Sequence, residues 1–474
     1  MPFLSGAVSK TPSATALVDD LGSWSFIELA EAADGVARRL GTLMLDPGRP
    51  VALLGEATRA YVGALHGVWR AGLGVAPFNG KWTRVEEARA FARLEPSVAL
   101  IGEGYPSPDL SALPPCTPVF RLGSGPESPL PLLQDLAPVS GDLGGLGPED
   151  EAVWLQTSGT TGPARVVKIT FGNLFASARG SERRLSLGPS DRWLGSLSLA
   201  HVGGVALISR AALLGSRVVL KGGFHAPEFA TLVANGTVTH ASLVPTMLRR
   251  YFQETGNHPP PESLRCLLIG GAPARPELIE AVLEAGMPLA LTYGLTEASS
   301  QVATAEPALV RRKPGTVGLP LPGVEVRVSE VGEILVRGPT VVPGGMEEDG
   351  WLHTGDLGRL DAEGHLWVTG RISDRIISGG LTVDPSEVVS VIESHPLVEA
   401  AAVVGIPDEE WGERVVAAVV PASTVGPGLE AELKALADSA LSSGKRPRAY
   451  GFLGSLPRNA NGKVDREAIR AFFQ

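Results

Sequence analysis

Short strand-like apolar runs alternate with helix-like amphipathic stretches along most of this chain, and that rhythm leaves few folds open. Val51–Leu54 is followed by the amphipathic stretch Arg59–Ala71 and then by Gly74–Pro77. The helix-like segment Arg84–Leu94 precedes Val98–Ile101. Further on, Arg217–Leu220, His240–Val244, Cys266–Ile269 and Leu289–Leu291 are short runs separated by helical patterns. Such alternation argues for α/β layers with substantially parallel sheets. Between Glu103 and Pro148 the composition shifts to Pro, Gly, Ser and Leu, which reads as a weakly structured connection with one short strand, Val119–Leu122.

After Lys313 the rhythm changes. Val324–Val328, Gly332–Arg337, Leu352–Leu360 and His365–Gly370 are closely spaced and separated by Gly, Asp and Glu turns, the pattern of a small antiparallel, barrel-like subdomain. Gly370–Ser373 is a candidate hinge. Beyond it come helix-like Pro385–Ser394, strand-like Ala400–Gly405 and Arg414–Pro421, and helix-like Glu430–Leu441. At 474 residues the chain is too long for one ordinary core. The expected organisation is α/β plus α+β: a large N-terminal domain over residues 1–372, built of αβα layered sheets with the barrel-like subdomain, and a small C-terminal α+β domain over 373–474.

Charge and cysteine content remove several function classes. A net charge of -10 argues against nucleic acid as a general partner, and any polyanionic substrate has to be met by local Arg, Lys and helix N-termini. The two cysteines, Cys116 and Cys266, lie far apart without metal-ligand spacing, which fits a reduced, cytoplasmic compartment. The N-terminus carries acids early and has no long apolar stretch, so no signal peptide is expected. No uninterrupted apolar run is long enough for a membrane span.

Three segments carry chemistry. TSGTTGPARVVK, Thr157–Lys168, opens directly after the apolar run Ala152–Leu155. Its small residues let backbone N–H groups approach a phosphate, its hydroxyls add donors, and Arg165 and Lys168 add charge. It is not a Walker A loop, because no Gly-Lys-Ser/Thr closes it. Alone, such a run is more often a surface turn. LTYGLTEASSQVAT, Leu291–Thr304, presents Tyr293, Thr296 and Glu297 on a turn after a strand. An aromatic face can stack on a purine, and a carboxylate beside phosphates can hold Mg²⁺; the alternative is a plain strand-to-helix turn with a Thr cap. LHTGDLG, followed by GRISDRIISGG, places Asp356 on a tight turn, where a carboxylate can accept from both hydroxyls of a ribose, with Arg371 near by.

The order TSGTTG, YGLTE, TGD, GR, PRNANGK resembles the adenylate-forming superfamily of acyl-CoA ligases, adenylation domains and luciferases, from about residue 10 to the C-terminus. The resemblance implies ATP chemistry and a mobile C-terminal domain that turns about Ser373–Asp374. It implies that Thr157, Ser158, Gly159, Thr160, Thr161 and Gly162 bind the pyrophosphate end of ATP. Gly271, Tyr293 and Gly294 would lie along the nucleotide, Thr296 near the α-phosphate, Asp356 on the ribose with Arg371 assisting, and Glu297 on Mg²⁺. Lys463 would be the adenylation lysine. The Ser378–Leu381 face with Gly379 and Gly380 would meet coenzyme A in the second half-reaction. One departure is Arg165, where the superfamily often has Lys; the charge is kept with a different geometry.

Within that superfamily SLAHVGGVALISR, THASLVPTML and CLLIGGAPARPELIE are similar to the o-succinylbenzoate–CoA ligases of menaquinone biosynthesis. That resemblance implies that His201 lines the acyl pocket and that Arg210 helps to bind the succinyl carboxylate, with Ser299, Ser300 and Gln301 adding polar contacts. The implied activity is conversion of o-succinylbenzoate, ATP and coenzyme A to the thioester, AMP and pyrophosphate. The alternatives are an aryl- or fatty-acid–CoA ligase, or an adenylation enzyme that loads a carrier protein. A homodimer stays open beside a monomer.

Overall fold

The computed structural model describes residues 3–105, 108–123, 132–139, 146–157, 165–256, 258–422, 428–458 and 464–474. By the density of its internal contacts the chain divides into two compact units. One is Met1–Arg327, Leu335–His353 and Leu360–Trp367; the other is Val328–Ile334, Thr354–Arg359 and Val368–Gln474.

The first unit holds two large sheets. The six-stranded sheet runs in the order Val119–Arg121, Val98–Ile101, Val51–Leu54, Val75–Pro77, Glu151–Thr157, Arg165–Thr170. Its first five strands are parallel neighbours, and the last is antiparallel. Val51–Leu54 and Val98–Ile101 are buried at every residue, so neither can alternate polar and apolar positions as a half-exposed strand does. The nine-stranded sheet runs Leu319–Pro320, Ser300–Ala305, Leu289–Leu295, Cys266–Ile269, His240–Leu243, Arg192–Gly195, Arg217–Leu220, Thr15–Asp19, Gly22–Ser25. Its six inner strands are parallel and its edges antiparallel.

The helices that cover these sheets start where the sequence caps them. Ser25 and Glu28 form a reciprocal capping box at the start of Phe26–Leu40, as do Thr83 and Glu86 before Arg84–Leu94. Helix Val202–Leu214 is apolar almost throughout and buried along most of its length, as a helix between layers must be. The short strands after Lys313 make a four-stranded sheet in the order Glu325–Val328, Glu333–Arg337, Leu352–Leu360, Leu366–Arg371.

The second unit contains a five-stranded sheet: Leu381–Val383, Ile376–Ser378, Gly412–Pro421, Val398–Asp408, with Ala449–Phe452 pairing in parallel to Gly412–Pro421. Residues 415, 417 and 419 face one apolar cluster with Leu433 and Ile392, while 416, 418 and 420 face another with Ile469. This two-sided burial explains the unbroken apolar run of that strand. No helix among the described residues is long and apolar enough to cross a membrane.

Candidate active site

In the first unit, Gly271, Tyr293, Gly294, Thr296, Glu297 and His201 lie on or just after strands of the nine-stranded sheet. Its inner strands are parallel, so the segments that follow them emerge at their carboxyl ends, where open α/β sheets bind ligands. Gly270 and Gly271 follow Cys266–Ile269; Tyr293 to Glu297 close Leu289–Leu295; Ser196 to His201 follow Arg192–Gly195. Gly271 has φ +79°, a backbone conformation that glycine adopts without penalty.

The turn after Tyr293 is tightly specified. Leu289–Leu295 and Ser300–Ala305 pair antiparallel around the short 3₁₀ turn Thr296–Ala298. A side chain at Gly294 would put its Cβ 1.8 Å from the Ser300 carbonyl oxygen, so this position admits only glycine. Ser299 and Ser300 have φ of 54° and 103°, strained values for residues with a Cβ. Inside the turn Ser299 N donates to Thr296 O at 3.0 Å, and Val342 N donates to Glu297 O at 3.0 Å. The Ser299 hydroxyl is buried without a hydrogen-bond partner among the described residues. The backbone of Glu297 is thus pinned, while its half-buried carboxylate has no hydrogen bond or ion pair among the described residues. Tyr293 beside it is 9% exposed.

His201 occupies the N-cap position of helix Val202–Leu214, with no side-chain capping bond, and its N–H donates to Ser198 O at 3.1 Å. Arg210 belongs to the same helix, but nine positions advance about 13.5 Å and half a revolution. Its side chain lies between the helix layer and the sheet, 4% exposed. The guanidinium stacks over the Trp193 ring at 4.5 Å, and Nη1 donates to Gln301 Oε1 at 3.2 Å and to Ser181 Oγ at 3.5 Å. Burial lowers its pKa to about 10, which leaves it charged at neutral pH. The structure therefore brings Arg210 to Trp193, Ser181 and Gln301, at the opposite end of the helix from His201.

Thr157 ends strand Glu151–Thr157 and pairs with Arg165 on the antiparallel return strand, so the Gly/Ser/Thr segment connects two neighbouring strands. Ser158, Gly159, Thr160, Thr161 and Gly162 lie outside the described residues, as does Lys463. Lys168 pairs with Glu151 at 3.1 Å and sits over the Trp154 ring at 3.7 Å.

The second unit holds the remaining candidates. Asp356 is 4% exposed and accepts from Arg371 Nε at 2.5 Å. Its turn is fixed by Glu333, whose Oε1 accepts from Gly355 N at 2.9 Å, and by Thr354, whose hydroxyl accepts from Asp356 N at 3.1 Å. The Asp356–Arg371 adjacency proposed for a ribose site is thus present, with the two side chains bonded to each other. Ser373 and Asp374 lie in the 3₁₀ turn Ile372–Asp374, and Asp374 pairs with Arg466 at 2.8 Å. Gly379 and Gly380, with φ of +56° and +79°, make the tip of the hairpin between Ile376–Ser378 and Leu381–Val383. Gly379 N donates to Trp411 O at 2.8 Å, and an added Cβ would meet the Trp411 ring at 2.8 Å.

The sequence pointed to Gln301, with Ser299 and Ser300, as a source of polar contacts after the turn, and passed over Ser181 and Trp193. A buried Arg in an apolar helix was the available signal, because it demands polar partners from elsewhere.

The chain is similar to known proteins along most of its length. The family described as AMP-binding enzyme matches residues 4–344, and the AMP-binding enzyme C-terminal domain matches 387–463. The chain is 33% identical over 479 residues to a 2-succinylbenzoate–CoA ligase of Bacillus pumilus, covering 97% of this chain and 96% of that protein. Among solved structures, o-succinylbenzoate CoA synthetase (MenE) from Bacillus subtilis in complex with the acyl-adenylate intermediate OSB-AMP superposes with a TM-score of 0.89 at 31% identity, covering 99% of this chain and 98% of that one. The same enzyme in complex with ATP and magnesium ion gives 0.87, covering 98% of each chain. The amide bond synthetase McbA from Marinactinospora thermotolerans gives 0.88 at 27% identity, covering 100% and 99%.

Proposed function

Because the chain belongs to the AMP-binding enzyme family, we propose that it is an ATP-dependent ligase that converts o-succinylbenzoate and coenzyme A to o-succinylbenzoyl-CoA through an acyl-adenylate, a step of menaquinone biosynthesis. Support for the substrate comes from the full-length similarity to ligases and structures named for that acid. The observation that carries the chemistry is the Leu295–Ser300 turn. It holds one carboxylate, Glu297, with a pinned backbone and a side chain that no described residue engages, at the carboxyl edge of a parallel sheet.

In the first half-reaction a carboxylate oxygen of the acid attacks the α-phosphorus of ATP, and pyrophosphate leaves. Positioning and charge neutralisation do most of the work in such phosphoryl chemistry. Glu297 suits Mg²⁺: no cluster of three or more metal-ligating side chains occurs among the described residues, and this ion is commonly held by one or two carboxylates together with substrate phosphates and water. When bound, the ion neutralises charge on the phosphates. Thr157 to Gly162 bind the pyrophosphate end, Gly271, Tyr293 and Gly294 line the nucleotide, and Thr296 hydrogen-bonds near the α-phosphate. Asp356 and Arg371 serve the ribose, and Lys463 adds positive charge in this step. His201, Ser299 and Ser300 line the acyl side. In the second half-reaction the thiol of coenzyme A attacks the acyl carbon, AMP leaves, and the thiol proton goes to solvent.

The working division falls at 372/373, with Ser373 and Asp374 as its hinge and the Gly379–Gly380 hairpin serving coenzyme A. The two free cysteines support a reduced, cytoplasmic setting, and the partners required are small molecules; a homodimer is read from the mass in solution.

The test is pyrophosphate release with a panel of acids, with and without coenzyme A. The reading requires o-succinylbenzoate to be the fastest acid and the thioester to be the product. A faster fatty or aryl acid moves the assignment to another acyl-CoA ligase. Adenylate formation without transfer to coenzyme A moves it to a carrier-loading or amide-forming enzyme.

A further inference from the structure

Ser300 sits at φ 103° and Ser299 at 54°, directly after the segment that carries Thr296 and Glu297. Backbone held this way persists only where its surroundings over-determine it. The residue that follows, Gln301, is 4% exposed and is fastened by four side chains. Its Nε2 donates to Thr304 Oγ1 at 2.8 Å and to Thr292 Oγ1 at 3.3 Å. Its Oε1 accepts from Arg210 Nη1 at 3.2 Å and contacts the Ser181 hydroxyl. Thr292 belongs to the other strand of the same hairpin, so these bonds fix the base of the turn on both sides.

Arg210 is the charged member of the set. Among the described residues no carboxylate pairs with it directly; Asp191 acts on it only from a distance. Burying a guanidinium against a neutral amide is unfavourable beside an apolar side chain of similar size. Packing alone therefore gives no reason for an arginine here. Stacking on Trp193 removes its freedom to swing, and its donor is aimed at Gln301. Ser181 comes from helix Phe171–Leu185 and Arg210 from Val202–Leu214, so two helices are tied through one amide to the strained turn.

We infer that Arg210 is a positioning residue that acts through Gln301 to hold the Thr296–Ser300 turn in its reactive shape, rather than a ligand of the substrate's second carboxylate. This inference rests on the reading of Glu297 and Thr296 as groups that meet ATP. Arg210→Met removes the charged donor and its stacking on Trp193 and leaves an unbranched apolar side chain in the helix.

The experiment compares wild type with Arg210→Met, Arg210→Lys, Gln301→Met and the Arg210/Gln301 double Met variant. The acids are o-succinylbenzoate and the two monoacids that each lack one of its carboxylates, with thermal unfolding measured alongside. Arg210→Met lowers adenylation kcat by roughly 10- to 150-fold for every acid that reacts, with the KM for the acid little changed. Gln301→Met gives a loss of the same order, the double variant is no slower than the worse single, and Arg210→Lys recovers part of the rate. A loss confined to the diacid and carried by KM overturns the inference and returns Arg210 to the carboxylate. An unchanged kcat in a folded Arg210→Met protein also overturns it, leaving the arginine as core packing. The comparison is made on whichever acid the wild type adenylates fastest. A wild type that ignores o-succinylbenzoate thus refutes the substrate reading without touching this one.

Discussion

At the scale of single residues, ionisable groups in this chain are separated by what surrounds them. Glu297 has a fixed backbone and a carboxylate that no described residue engages, so replacing it with Gln preserves the turn and removes the charge. Adenylation by Glu297→Gln should fall by about one to two orders of magnitude and should need more Mg²⁺ to reach its maximum. An unchanged Mg²⁺ titration would count against the metal role. His66 shows the opposite treatment. It is 3% exposed, packed edge-on against Trp69 at 5.1 Å, and its Nε2 has no hydrogen-bond partner among the described residues. Burial pushes its pKa from 6.5 down to about 3. The unfolded chain therefore binds a proton below pH 6.5 that the folded chain refuses until about pH 3. The stability His66 contributes is whole above that upper value and drains as the pH falls through the window. His66→Leu should flatten part of the acid limb, seen as a smaller drop in melting temperature between neutral and mildly acidic buffer. His240, held down to about 3 by burial and by Arg265, leaves a residual slope in the variant. An identical acid limb in both proteins would contradict the assignment.

At the scale of elements, the turn between Leu289–Leu295 and Ser300–Ala305 is where sequence and geometry constrain each other most. Gly294 lets the Ser300 carbonyl pass where a Cβ would stand. Gly294→Ala should therefore cost about 2–4 kcal/mol, or shift the turn and abolish adenylation while the rest of the unit folds. Calorimetry with a parallel assay checks this, and a variant with wild-type stability and rate would show that the turn tolerates rearrangement. The strands Val51–Leu54, Val98–Ile101, Arg217–Leu220 and Cys266–Ile269 were legible in the sequence to the residue. Each is a short apolar run bounded by turn residues and buried on both faces. The hairpin Thr15–Asp19 and Gly22–Ser25 was not legible, because an edge pair with mixed exposure lacks that contrast. Among site residues, Tyr293, Thr296 and Glu297 were readable because one turn carries all three. The setting of Arg210 was not: its partners Ser181 and Gln301 are 29 and 91 positions away. A linear motif does not encode which face of a helix a side chain takes, and that face separates Arg210 from His201.

At the scale of the whole molecule, the family assignment and the resident chemistry converge on one route, a carboxylate activated as its adenylate before the thiol attacks. The oxygen atoms record that route. In the first step a carboxylate oxygen becomes bonded to the α-phosphorus, and in the second the acyl–oxygen bond breaks, so that oxygen departs with AMP. The decisive measurement is mass spectrometry of the nucleotide after one turnover with o-succinylbenzoate labelled with ¹⁸O in both carboxyl groups, together with ATP, Mg²⁺ and coenzyme A. The account predicts AMP carrying a single heavy oxygen, unlabelled pyrophosphate and the coenzyme A thioester. Label in inorganic phosphate beside ADP, or AMP formed without label, would contradict it.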